Sequence, residues 1–284
     1  MRALIYNDAA TCSPSPIHPT RKLHRLERGF MQLGWDVVQD RPQHITQADL
    51  VCTWGVRKTE QAREHGLHHL IMELGFLGDR NEWSYLGFNS LNARGRSPFI
   101  PERGLEWYPD KWAVPMQYPR GRSTRALIMG QVPDDASLFD FGRNDTGQRY
   151  ARWVVSIVKR MNAMGWDVMW RKHPKSGNDA IGPKLPHVTD TYGWGFEESI
   201  NNADVVVGYS SNALLDAAIM GKPVIVGSDM SFAHPISSTF KEVFPTDFDM
   251  LRDVIDTAAS AQWATKEIEH GQALEHLLTG FEDG

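Results

Sequence analysis

Cysteine is scarce: the 284 residues hold only Cys12 and Cys52. Two thiols exclude a disulfide framework and any Cys-based zinc site, and they fit a reducing compartment. Long apolar runs are also missing, and no stretch approaches the ~20 apolar residues that a membrane span needs. The opening MRALIYNDAA has one basic residue and a short strand-like run, without the apolar core of a signal peptide. The expectation is a cytoplasmic protein with no stable membrane insertion. Low-complexity tracts and residue-level repeats are absent as well. Strong net charge of one sign is lacking at −5, which argues against a general nucleic-acid coater.

What is present is ordinary globular composition, 41% apolar and 23% charged. The length allows one large domain or two small ones, at roughly 100–200 residues each. Charge is unevenly spread. Residues 1–125 carry 17 Lys and Arg against 13 Asp and Glu, while the remainder carries 13 against 22. A basic first half can attract an anionic partner.

The order of apolar runs predicts an α/β protein. In the first half, strands are expected at Ala3–Tyr6, Trp35–Val38, Ala48–Thr53 and Leu70–Met72, with helices from Thr20 to about Leu33 and near Lys58–His65. Residues 78–122 are rich in Gly, Pro, Trp, Asn and Arg and read as long loops. Tyr118-Pro119-Arg120-Gly121 is the expected boundary. The second half restarts the pattern. Strands are expected at Arg125–Met129, Trp166–Trp170, Val188–Thr189, Asp204–Val207 and Val224–Val226, with a helix at Gln148–Met164 and another ending at Met220. Helices at Asp249–Ala261 and Thr265–Leu278 form a tail. Short strands joined by single helices make parallel sheets, whose ligands sit at the strands' carboxyl ends.

Three loops lie at such ends. Gly130-Gln131-Val132-Pro133-Asp134-Asp135-Ala136-Ser137 sets adjacent carboxylates beside an amide and a hydroxyl, which suits a nucleophile or base. Arg171-Lys172-His173-Pro174-Lys175 offers cations and an imidazole for phosphate. Ser210-Ser211-Asn212 offers hydroxyls and amides between a buried strand and a helix. Taken singly, each also reads as a polar turn, a solvated basic loop or a helix cap.

Together, GQVPDDASL, RKHPKSG and ADVVVGYSSNALLDAAIMGKPVIV resemble the capsule-polysaccharide biosynthesis glycosyltransferases, a group that includes Kdo transferases. The likeness is best over residues 125–227. Glu73-Leu74-Gly75-Phe76-Leu77 also resembles that family's acidic Gly-Phe-Leu motif. The resemblance implies a GT-B fold: two Rossmann-like domains with parallel sheets facing a central cleft. Residues 1–121 would bind acceptor, and residues 122–284, helical tail included, would bind a nucleotide sugar. It implies that Asp135, with Asp134 beside it, faces the reacting sugar carbon. Gln131 would orient the donor or that carboxylate, and Ser137 would lie on the donor side. His173, with Lys172 or Lys175, would contact donor phosphate, and Ser210, Ser211 and Asn212 would hold it. Glu73 would be an acceptor-side base or acceptor ligand. The nucleotide sugar is then a co-substrate, and neither cofactor nor metal is expected. Asp247-Phe248-Asp249 reads as a helix cap rather than a metal motif.

The basic half supplies candidate acceptor contacts in Arg21, Lys22, Arg25, Arg28, Arg57, Lys58, Arg94, Arg96 and Arg103. Arg21, Arg25 and Arg28 share a helix face. Trp54, Trp83, Tyr85, Trp107, Tyr108 and Trp112 lie among them and could stack on sugars or an extruded base. Two acceptors fit: an anionic glycan, or duplex DNA bearing a hydroxymethylated pyrimidine in a phage-infected bacterial cytoplasm. Small size and the basic first half favour DNA. Two other functions stay open, a nucleotide-sugar 2-epimerase and a non-catalytic nucleotide-sugar or glycan binding module.

Overall fold

The computed structural model describes residues 1–6, 19–39, 48–56, 60–109, 124–133, 135–142, 144–177 and 181–279. Along the chain the elements begin β1 (Arg2–Tyr6), α1 (Pro19–Gln32), β2 (Asp36–Gln39), β3 (Leu50–Trp54), α2 (Glu60–Glu64), β4 (His68–Leu74) and β5 (Trp83–Phe88). They continue with β6 (Arg125–Met129), α3 (Thr146–Ala163), β7 (Asp167–Arg171), β8 (Val188–Asp190), α4 (Phe196–Asn201), β9 (Val205–Gly208), α5 (Ala213–Ile219) and β10 (Val224–Val226). The last are α6 (Phe248–Ser260), β11 (Gln262–Ala264), α7 (Thr265–Glu269) and α8 (Gln272–Thr279). The chain forms two compact units, Met1–Trp107 with Ile255–Gly284, and Tyr108–Val254.

The first unit holds a six-stranded sheet in the order β11-β5-β4-β3-β1-β2. Strands β1 to β4 are parallel, as expected from the sequence. The sheet is nevertheless mixed, which corrects the all-parallel expectation. Strand β5 runs antiparallel to β4, and β11 antiparallel to β5. The link over residues 75–82 is too short for the crossover helix that a parallel partner would need. β5 lies in the stretch expected to be all loop.

The tail also departs from expectation. Rather than closing the second unit, it completes the first, through β11 and through α7 and α8 packed on α1. Leu23, Leu26 and Phe30 of α1 share one core with Ile268, Leu274 and Leu277. Each such side chain contributes roughly 1.5–3 kcal/mol by leaving water. The helices approach closely at Gly29, where an added Cβ would lie 2.1 Å from the Ile268 carbonyl oxygen. The expected boundary at residues 118–121 lies outside the described residues.

The second unit holds a parallel five-stranded sheet in the order β10-β9-β6-β7-β8. Helix α3 covers it with Tyr150, Val154, Ile157, Val158 and Met161, spaced for one helix face. The chain runs from β6 outward through β7 to β8, then returns to β6's other side for β9 and β10. Strands β6 and β9 therefore flank the point where the strand order reverses. In open parallel sheets ligands bind beyond the carboxyl ends of the strands at such a point.

Candidate functional site: the carboxyl end of the second sheet

Gln131 follows β6 by two residues and sits at that reversal point. Its amide is buried and ties two loops together. Nε2 donates to Ser137 Oγ (3.2 Å) and to Ser210 Oγ (3.0 Å), and Oε1 accepts from the Ser210 backbone N–H (2.9 Å). Ser210 Oγ in turn donates to the Ser137 carbonyl (3.0 Å). The Gln131 backbone N–H donates to the Tyr150 hydroxyl from α3 (3.0 Å). Burial holds the Tyr150 pKa above its ordinary value, so that hydroxyl stays neutral. Both Nε2 hydrogens are thus taken, and Gln131 acts as a tie between loops rather than a donor to ligand. Ser137 and Ser210 are buried in the same knot.

Asp135 is exposed and caps the 3-10 turn Ala136–Phe141 by accepting from the Ser137 N–H at Oδ1 (2.8 Å). That leaves the carboxylate's second oxygen without a protein partner among the described residues. The cap and the chemistry expected of Asp135 are therefore compatible, since one oxygen orients the group and the other can meet a ligand. Farther along the same turn, Asp140 accepts from Ser228 Oγ (2.8 Å) and the Tyr209 hydroxyl (3.3 Å). These bonds tie the turn to the segments after β9 and β10.

The basic loop leaves β7, the strand next to β6. Met129 pairs with Arg171, and the Gly130 N–H reaches the Arg171 carbonyl (2.8 Å), so the two loops start level. Lys175 N–H donates to His173 Nδ1 (3.1 Å). In the neutral ring this places the proton on Nε2, a donor suited to a phosphate oxygen. Lys175 is exposed. Lys172 is half-buried; its ammonium donates to the Gly177 carbonyl (3.0 Å) and lies 4.1 Å from the Tyr192 ring centre. Arg171 clamps the segment after β8 by donating to Thr191 O, Trp194 O and Ser199 Oγ. It positions that loop, a role its sequence context did not reveal.

After β9, Ser211 Oγ accepts from the Ala213 N–H (3.3 Å). Among the described residues, the Ser211 and Asn212 backbone N–H groups and the Asn212 side-chain amide have no protein partner. These half-buried donors lie next to the Gln131–Ser210 tie.

In the first unit, Glu73 is half-buried near the end of β4, and its Oε1 accepts from the Leu74 N–H (3.0 Å). Several expected acceptor contacts are already committed. Arg25 and Arg28 both donate to Glu269 of α7, and their donation lowers the Glu269 pKa. One carboxylate shared by two guanidiniums cancels one of their two charges and holds both side chains against α7. Lys22 is buried, donating to the Asn81 carbonyl (2.7 Å) and Thr265 Oγ1 (3.3 Å), and desolvation lowers its pKa. Arg103 pairs with Glu267 and lies over the Trp263 ring (4.6 Å to its centre). Arg21, Arg94 and Arg96 are exposed. Asp134 and Arg57 lie outside the described residues. Among the described residues, no three His, Cys, Asp or Glu cluster as metal ligands, and no helix is long and apolar enough to cross a membrane.

No protein-family model and no curated protein sequence matches this chain. Two solved structures from Thermosulfurimonas dismutans are similar in shape. One is described as KpsC, beta Kdo 2,4 transferase; it is 16% identical with a TM-score of 0.53, over 92% of this chain and 90% of that chain. The other, KpsC, beta Kdo 2,7 transferase, is 15% identical with a TM-score of 0.60, over 97% of this chain and 100% of that chain. At such identities the likeness is one of fold, and the fold of this protein is of the GT-B class, built from two Rossmann-like α/β units.

Proposed function

We propose that this protein is a glycosyltransferase that moves a sugar from a nucleotide-sugar donor to an acceptor hydroxyl. The observation that carries the reading is the Gln131–Ser137–Ser210 tie at the reversal point of the second sheet. On one side is Asp135, whose carboxylate has one oxygen without a protein partner among the described residues. On the other side are the amide donors of Ser211 and Asn212, which have no protein partner among the described residues. His173 leaves the neighbouring strand at the same level.

The chemistry follows from these groups. The donor's phosphate accepts hydrogen bonds from Ser211, Asn212 and His173 Nε2–H, and Lys175 supplies positive charge. As the sugar's anomeric carbon–oxygen bond breaks, the electron pair stays on the phosphate oxygen. Donors already aimed at that oxygen stabilise its growing charge without reorganising. Asp135 offers its free oxygen to the electron-poor anomeric carbon. Glu73, in the first unit, binds the acceptor hydroxyl or takes its proton. A metal is not needed for this charge balance.

The acceptor reading favoured here is an anionic glycan. Duplex DNA calls for many phosphate contacts. Lys22 and Arg103 are committed within the first unit and Arg25 and Arg28 share one carboxylate there, so four of the nine expected cations are already engaged. Incubation with cytidine-, uridine- and guanosine-activated sugars, Kdo among them, tests the reaction. The test compares capsular oligosaccharide, hydroxymethylated DNA and plain DNA as acceptors. Sugar transfer to the oligosaccharide supports the reading. Transfer to hydroxymethylated DNA replaces the glycan acceptor. An epimerised donor without any acceptor, or binding without turnover, replaces the transferase.

A further inference from the structure

We infer that Gln262, from the short strand β11 near the end of the chain, is a positioning residue for Glu73; the inference rests on the acceptor role proposed for that carboxylate. The turn that follows Glu73 has no regular partner strand of its own. Gln262 supplies one. Its Oε1 accepts from the Phe76 N–H (2.9 Å) and the Leu77 N–H (3.0 Å), while its Nε2 donates to the Leu77 carbonyl (3.1 Å). One side chain thus satisfies three backbone groups of one turn. Gln262 is fully buried, so water offers those groups no substitute.

The register links this clamp to the carboxylate. Tyr85 of β5 pairs with Glu73 on one side and with Gln262 on the other, so the three residues form one row across β4, β5 and β11. Residues directly opposite in antiparallel pairs point to the same face of the sheet. Phe76, held at its N–H by Gln262, packs edge-on against Tyr85 with ring centres 5.4 Å apart. Gly75 completes the fit, because a Cβ there would lie 2.7 Å from Trp83 Cβ and 3.1 Å from Gln262 Oε1. Glu73 therefore leads into a turn held on two sides, by β5 with its Tyr85 ring and by the Gln262 amide.

The test compares Gln262→Leu, Gln262→Glu and Glu73→Gln by steady-state sugar transfer, using the donor and oligosaccharide that wild type accepts. Each variant's melting temperature is recorded. Loss of positioning lowers kcat for Gln262→Leu by on the order of tenfold to a hundredfold, with donor KM unchanged, as misplaced reacting groups do. A glutamic acid at 262 reproduces the three hydrogen bonds only while protonated. Gln262→Glu therefore has near wild-type kcat at low pH and loses it as pH rises, at a pH where wild type is still active. That rescue is the signature of positioning where the melting temperature, recorded at each pH, shows Gln262→Glu still folded as its kcat falls; loss of kcat only where the variant unfolds overturns the inference. A lower melting temperature with unchanged kcat in Gln262→Leu, or a Gln262→Glu pH profile matching wild type, overturns the inference while leaving Glu73 in place. Wild-type kcat in Glu73→Gln removes the role of Glu73 itself, and this inference with it. If Gln262→Leu fails to fold, the kcat and melting temperature of Gln262→Glu across pH decide together.

Discussion

Replacing Gln131 with Leu keeps the side chain's bulk and removes its amide. The structure shows what is lost: two donations, to Ser137 Oγ and Ser210 Oγ, and one acceptance, from the Ser210 N–H. The hydroxyls can turn toward other partners, so each lost bond costs only about 0.5–1.5 kcal/mol. The Ser210 N–H cannot turn. It is buried beneath the loop, and orphaning it costs about 1–3 kcal/mol. Added apolar burial of the leucine offsets part of this, leaving a net loss of about 3 kcal/mol. The local readout is amide hydrogen exchange. Protection of the Ser210 amide is expected to fall by roughly a hundredfold in Gln131→Leu, since each 1.36 kcal/mol is a factor of ten. Donor affinity falls with it, because the loop carrying Ser211 and Asn212 is no longer held. Unchanged Ser210 protection, with a urea midpoint shift worth less than about 1 kcal/mol, refutes the reasoning.

Gly75→Ala places a methyl group against Trp83 and Gln262 and is expected to destabilise the first unit by about 1–3 kcal/mol, read as a lower melting temperature. The Glu269 pKa lies below its ordinary 4.5, chiefly through the Arg28 hydrogen bond and then that of Arg25. A depressed carboxylate pKa means that the pair's stabilisation is present above about pH 4.5 and lost as pH falls through the lower folded value. Both arginines are well exposed, so the effect is below about 1 kcal/mol and shrinks in high salt. Comparing urea midpoints from pH 6 to pH 3 for wild type and the Arg25→Ala/Arg28→Ala double variant tests it. A matching pH dependence in both proteins contradicts the pairing.

The parts of the fold that were legible in the sequence were those written locally. Runs such as Arg125–Met129 and Val205–Gly208 are apolar because the sheet buries them on both faces, and that pattern needs no knowledge of partners. The three loops of the site were legible for the same reason, since each directly follows such a strand. What escaped depended on distant partners. β5 carries Ser84 and Gly87 among its aromatics and sits in loop-like composition. Its strand character comes from pairing with β4 and with β11, which lies near the other end of the chain. β11 itself has three residues, too few for any periodicity to register. The arginines of α1 formed a convincing basic face because their acidic partner, Glu269, lies 241 residues from Arg28. Gln262 had no sequence signal at all, because a glutamine between two helices is unremarkable until the turn it clamps is seen.

The central claim is that Asp135 acts on the donor's anomeric carbon, and Asp135→Asn tests it most directly. Asparagine keeps an oxygen that accepts from the Ser137 N–H, so the cap and the loop survive while the carboxylate is gone. Transfer rate and donor affinity, measured side by side on this variant and wild type, are expected to separate. Transfer falls by on the order of a thousandfold while donor binding stays near wild type. Sugar transfer at the wild-type rate by Asp135→Asn would contradict the account.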